Sequence, residues 1–307
     1  MTLDERLQNV AVLGAGGKMG SGITLLLARE MTLLKLRAGG SPRLFAMDVR
    51  PEALDGLRQY LSGQARKFAQ KNSETLKDLL GTDDVDQLAA RFEQELLSVL
   101  EPVTSLEAVS PARMVFEAIL ENVDLKVKVF SQLRDLCSED TFFFSNTSSI
   151  PIGLLNERAG LGGRLVGFHF YNPPAVQKLV ELILPAQVHP ELPELCQALA
   201  RRLGKIVIPS NDVAGFIGNG HFMRDGLHAI QEAERLQKEG FSFQQSIYMM
   251  NRVAQDFLIR PMGIFQLMDY VGLDVFQSIL AIMNPHFPEE NLHSELIDGL
   301  VSRGVKG

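Results

Sequence analysis

The sequence predicts an α/β fold: a Rossmann-like dinucleotide-binding domain carrying an inserted helical pair, followed by an all-helical C-terminal domain. Three observations carry this. NVAVLGAG, at 9–16, is an apolar run that stops on glycines and leads into an apolar helix pattern, the strand, loop, helix order of a phosphate-binding unit. Short β-favouring runs then alternate with longer helical patterns, as expected of parallel strands joined by crossovers. Beyond Ser210 the periodicity is helical only, so we divide the chain into a nucleotide-binding domain, 1–210, and a helical domain, 211–307.

Composition narrows the function. With 307 residues, 46% of them apolar, the chain can bury a sizeable core and a cofactor. The formal net charge of −7 leaves no generally basic surface, against nucleic acid or an anionic membrane as the main partner. Cys137 and Cys196 are the only cysteines, too few for a disulfide framework or a zinc set, and a cytoplasmic location fits. The opening MTLDERLQNV has no apolar core of signal length, and no later run approaches a membrane span. His221 and His228 have no acidic or cysteine companion at ligand spacing, so no metal is expected.

The first βα turn holds Gly14, Gly16, Gly17 and Gly20, with Lys18 and Met19 between them. Missing side chains let a pyrophosphate approach the backbone where helix N–H groups and the dipole favour an anion. GAGGKMG is one residue longer than GxGxxG. The next strand, 44–47, ends in Asp48, the acid expected on ribose hydroxyls, which favours NAD over NADP. Between them LKLRAGGSPR reads as a helix extension and loop. Residues 51–100 are helical and broken at Gly81 and 82–84, and Arg66, Lys67 and Lys71 form a basic edge suited to a phosphorylated ligand or simply to water. Strands follow at 101–103, 114–119 and TFFFSN, with a helix at 124–137. Glu117, Asn122 and Ser148 fall just beyond strand ends, where an open parallel sheet faces its ligand.

LVGFHFYNPPAVQKLVELIL, 165–184, reads as strand, connection and returning strand, with Asn172, Pro173 and Pro174 ending the ladder. Folding about Ala175 makes His169 and Glu181 cross-strand neighbours. A carboxylate there fixes the tautomer of the imidazole and favours its protonated form, as a general base requires. A histidine in an apolar strand is more often an ordinary core residue, so the pairing carries the reading. A helix at 190–203 and the strand GKIVIPS close the domain, and the next segment, NDVAGFIGNGHF, carries Asn219 as a polar amide among apolar and glycine residues.

FEAILENVDLKVKVF, SNTSS, GFHFYNPPAVQKLVELI, NDVAGFIGN and RPMGIFQLMDYVGLDVF together resemble the L-3-hydroxyacyl-CoA dehydrogenase family over nearly the whole chain. The resemblance implies that the helical domain forms a homodimer, and that NAD and an acyl-CoA meet between the domains. Matched residue by residue, His169 falls on the general base, Glu181 on the carboxylate that holds it, Ser148 on the residue touching substrate and cofactor, and Asn219 on the amide that completes the site. Gly14, Gly16, Gly17, Lys18, Met19, Gly20, Asp48, Glu117, Asn122 and Ser148 make up the cofactor set, and Lys71 aligns with a CoA-contacting lysine. Two other readings stand beside this one. The chain could oxidise a hydroxy acid without CoA, although Lys178 and the basic edge favour CoA, or it could bind a dinucleotide without catalysis.

Overall fold

The computed structural model describes residues 1–307. Packing divides the chain into two units, 1–147 with 152–212, and 148–151 with 213–307. The strip 148–151 therefore belongs with the helices, not with the strand that precedes it.

The first unit is built on one eight-stranded sheet in the order β3-β2-β1-β4-β5-β6-β7-β8. Its strands are β1 (Asn9–Leu13), β2 (Arg43–Met47), β3 (Leu100–Val103), β4 (Met114–Glu117), β5 (Phe142–Ser145), β6 (Leu165–Phe170), β7 (Leu179–Ile183) and β8 (Ile206–Ser210). Most of β1, β2, β4, β5 and β6 is buried on both faces, which is why they read as continuous apolar runs without alternation. The chain winds outward from β1 through β2 to β3, then returns to the other side of β1 as β4. That reversal opens a crevice at the strand ends, the place where such sheets bind ligands. Only the β6–β7 pairing is antiparallel.

The connecting helices are α1 (Leu3–Arg6), α2 (Lys18–Ala38), α3 (Pro51–Lys71), α4 (Ser73–Leu80), α5 (Val85–Val99), α6 (Val123–Leu136), α7 (Ile152–Arg158) and α8 (Leu192–Arg202). The expansion before Asp48 is a lengthening of α2, stopped by Gly39 at φ +77°. The helical region expected as a pair breaks twice, at Gly81 and again at Asn72, where φ −118° and ψ 26° turn α3 into α4. Leu57, Leu61 and Ala65 of α3 share one core with Phe92 and Leu96 of α5 and with the sheet. Asp212 accepts from the N–H groups of Ile152 and Gly153, at 2.6 and 2.7 Å, and so caps α7.

The second unit contains α9 (Gly218–Lys238), α10 (Phe243–Asp256), α11 (Ile264–Val271), α12 (Leu273–Met283) and α13 (Glu295–Ser302). Met223, Leu227 and Ile230 of α9 form a core with Met268, Phe276, Leu280 and Met283. Gly226 is small because a Cβ there would lie 2.6 Å from Cζ of Phe276. No single helix of the chain is long and apolar enough to cross a membrane.

Candidate active site

The glycine turn is shaped by close approach. Gly14, at φ +71°, passes so near β4 that a Cβ would fall 2.6 Å from the carbonyl of Ala118, and one on Gly16 would fall 2.6 Å from Cβ of Ala53. A Cβ on Gly20 would overlap the carbonyl of Gly14. Gly17, the N-cap of α2, donates to the Gly14 carbonyl at 3.0 Å. The helix therefore starts at Lys18, and the longer loop is absorbed by placing Gly20 in its first turn.

Asp48 ends β2 beside this turn. Its Oδ2 accepts from the Gly16 N–H at 3.1 Å and its Oδ1 from the Arg50 N–H at 3.1 Å. These bonds hold the carboxylate at the rim of a cleft of about 790 Å³, lined by Gly14, Gly17, Lys18, Met19, Asp48, Arg50 and the apolar side chains of Val49, Leu120 and Leu125. Bare glycine backbone, the start of a 21-residue helix, a fixed carboxylate and an apolar slot fit a dinucleotide: diphosphate, ribose hydroxyls and base respectively.

Beneath the cleft lies a network that sequence reasoning anticipates only in part. Glu117 is fully buried, and its Oε1 accepts from Lys126 Nζ at 2.5 Å and Ile119 N–H at 2.8 Å, its Oε2 from Ser145 at 2.6 Å. Lys126 also lies 3.3 Å from Glu121, which accepts from Thr147 at 2.6 Å. Desolvation works against the Lys126 charge, but Glu117 and Glu121 outweigh it and raise the pKa above the ordinary lysine value. Glu117, expected as a cofactor contact, is wholly buried and bonded within the β4–α6 turn. Asn122, expected in the same role, is exposed and caps α6, its Oδ1 accepting from Leu125 N–H at 2.9 Å. Sequence reasoning misses Lys126, because a lysine in a helical run reads as solvated.

The β6–β7 register sets His169 opposite Glu181, as the centre at Ala175 predicts. His169 Nδ1 and Glu181 Oε1 are 3.9 Å apart, with His169 nearly buried and Glu181 wholly so. The strands are joined through 171–178, where Lys205 donates to the carbonyls of Pro174 and Gln177 at 2.5 and 2.7 Å and fixes the connection. Tyr171, which no motif in the sequence singles out, donates its hydroxyl to Glu181 Oε1.

In the helical unit Asn219 stands in the first turn of α9. Its Nδ2 donates to the Ser148 carbonyl at 3.3 Å and Ser149 Oγ at 3.0 Å, bringing two of the expected site residues together. Ser148 Oγ lies 3.3 Å from Ser149 Oγ. Lys71 is exposed at the last residue of α3, and Arg66, in the same basic edge, is paired with Glu93 at 2.5 Å.

A nucleotide crevice at a glycine turn and a histidine–carboxylate pair on the same sheet define an NAD-dependent dehydrogenase of the Rossmann type. Comparison with known proteins makes the class specific. Residues 9–213 match the model of the 3-hydroxyacyl-CoA dehydrogenase NAD binding domain, and 215–307 match that of the C-terminal domain. The chain belongs to the 3-hydroxyacyl-CoA dehydrogenase family. It is 32% identical over 281 residues to a probable 3-hydroxybutyryl-CoA dehydrogenase of Bacillus subtilis, covering 91% of this chain and 86% of that protein. It is 30% identical to the mitochondrial hydroxyacyl-coenzyme A dehydrogenase of Homo sapiens, covering 94% and 83%. Among solved structures, FadB2 of M. tuberculosis superposes with a TM-score of 0.77 at 27% identity, covering 98% and 95%.

Proposed function

We propose that this protein oxidises the 3-hydroxyl of an L-3-hydroxyacyl-CoA to the 3-ketone, reversibly, with NAD as hydride acceptor, in fatty acid β-oxidation or related acyl-CoA metabolism. The observation that carries the proposal is the cross-strand pair of His169 and Glu181, in a chain whose first unit has a dinucleotide cleft. NAD, when bound, supplies the nicotinamide carbon that takes the hydride.

His169 removes the hydroxyl proton as the carbonyl forms, and in the reverse direction the imidazolium returns it. Glu181 holds the ring in one orientation and stabilises its charged form. Asp48 accepts from the ribose hydroxyls, and the start of α2, at Lys18, receives the diphosphate. Gly14, Gly16 and Gly20 let the turn pack against Ala118, Ala53 and its own backbone, while Gly14, Gly17, Lys18 and Met19 line the cleft. Glu117 and Asn122 support this cleft from the turn and helix beside it. Ser148 and Asn219 provide the polar contacts to substrate and cofactor that the family resemblance gives them, and Lys71 contributes charge toward the CoA phosphates.

A homodimer through the helical unit is supported by the exposed apolar side chains of Tyr248, Phe257, Leu258 and Ile259, at 65, 80, 58 and 86% exposure, more than isolated surface apolar residues usually present. A cytoplasmic location is supported by the buried, unpaired state of both cysteines.

The test follows NADH absorbance with acetoacetyl-CoA, longer 3-ketoacyl-CoAs and free 3-keto acids. Turnover of the CoA esters alone supports the proposal. Turnover of the free acids at equal efficiency removes the need for CoA, and no turnover with any of them removes catalysis.

A further inference from the structure

Tyr171 lies two residues beyond His169, just past the end of β6. The Tyr171 hydroxyl donates to Glu181 Oε1, the same oxygen that stands 3.9 Å from His169 Nδ1. The two rings are 5.3 Å apart between centroids and tilted by 36°. One carboxylate oxygen thus faces two ring systems.

We propose that Tyr171 is a positioning residue of the catalytic pair: its hydroxyl takes a share of the Glu181 carboxylate, and so sets how tightly His169 holds a proton. The inference rests on the assignment of His169 as the base. A wholly buried carboxylate is costly unless donors reach it. Tyr171 supplies one, and so draws charge density away from the oxygen nearest the imidazole. Burial first, then the bond to Glu181, lifts the Tyr171 phenol well above the ordinary tyrosine range, so it remains a donor throughout the working range of pH.

Other neighbours of the pair are of a different kind. On the strand beside β6, Ser145 pairs in register with Gly167 and its hydroxyl donates to Glu117. On β8, the apolar Ile208 stands opposite Glu181. The cations of the connection are Lys178, exposed just before β7, and Lys205, whose ammonium is bonded to the carbonyls of Pro174 and Gln177. Removing the Tyr171 hydroxyl leaves those groups in place and returns Oε1 to the imidazole. Whether the returned proton affinity is expressed on His169 or shared with Glu181, the pair takes up its proton at higher pH.

The test is an NMR titration of the protein labelled in its histidines, with His169→Gln assigning the resonance. Tyr171→Phe is expected to move proton uptake at His169 higher by about 0.5 to 1 pH unit. In a Glu181→Gln background the same substitution is expected to add nothing. The acidic limb of kcat/KM for hydroxyacyl-CoA oxidation should move with the titration. An unchanged titration in Tyr171→Phe, or an equal shift without Glu181, overturns the proposal. If Tyr171→Phe does not fold, tyrosine Cζ labelling replaces it: Glu181→Gln should shift the Tyr171 resonance and lower the pH at which the phenol ionises, and no change overturns the proposal. Retained turnover in His169→Gln overturns the base assignment itself, a result separate from either titration.

Discussion

Lys126 and Glu117 form an ion pair sealed from solvent, Nζ to Oε1 at 2.5 Å with side-chain exposures of 1 and 0%. Removing Lys126 leaves Glu117 buried with no counter-charge, which typically costs about 3 to 5 kcal/mol. Lys126→Met should lower the urea midpoint accordingly, and Glu117→Gln with Lys126→Met should recover at least half the loss. A single variant that unfolds at the wild-type midpoint contradicts the role of the pair.

Glycines at two places should respond oppositely to one added methyl. A Cβ on Gly20 overlaps the Gly14 carbonyl, so Gly20→Ala should weaken NADH binding by roughly tenfold or more, read by nucleotide fluorescence, through displacement of the turn that receives the diphosphate. Gly63, inside α3, has nothing within 4 Å of the place a Cβ would take, so Gly63→Ala should stabilise the fold by about 0.5 to 1 kcal/mol and leave NADH binding unchanged.

Both thiols should be inert in the native protein. Burial pushes Cys137 up to about 11, against the opposing pull of Arg164, and burial raises Cys196 as well. At pH 8 the thiolate fraction of Cys137 is then on the order of a thousandth. Alkylation by iodoacetamide should run at least a hundredfold slower in native protein than in urea; comparable rates would show that the core opens readily.

If the exposed apolar side chains of the helical unit make the dimer, Phe257→Glu with Ile259→Asp should halve the mass seen by light scattering while each unit stays folded by circular dichroism. A wild-type monomer, or an unaltered dimer in the variant, would place the interface elsewhere or remove it.

The sequence discloses most where a pattern has one physical meaning. The two prolines after Asn172 fix where the β6 ladder stops, and symmetry about Ala175 then gives the observed register of His169 with Glu181. The Thr2 and Glu5 capping box of α1 is present in the sequence but easily overlooked, because a helix of four residues has no apolar period. Tyr171 lies just past the end of β6, so strand alternation does not place it, and its bond to Glu181 appears only in the folded chain. Lys126 is equally hidden, because its burial depends on where Glu117 and Glu121 come to rest. Likewise the break at Asn72 follows from how α3 and α4 pack, with no glycine or proline to mark it.

The most direct test is turnover of acetoacetyl-CoA by His169→Gln. Loss of a general base costs about a hundred- to ten-thousandfold, and Glu181→Gln should cost on the order of a hundredfold. NADH binding should be largely preserved in both, since the cleft lined by Gly14, Lys18 and Asp48 does not include either residue. A His169→Gln protein that folds, binds NADH and reduces acetoacetyl-CoA at the wild-type rate would contradict the assignment of His169 as the base.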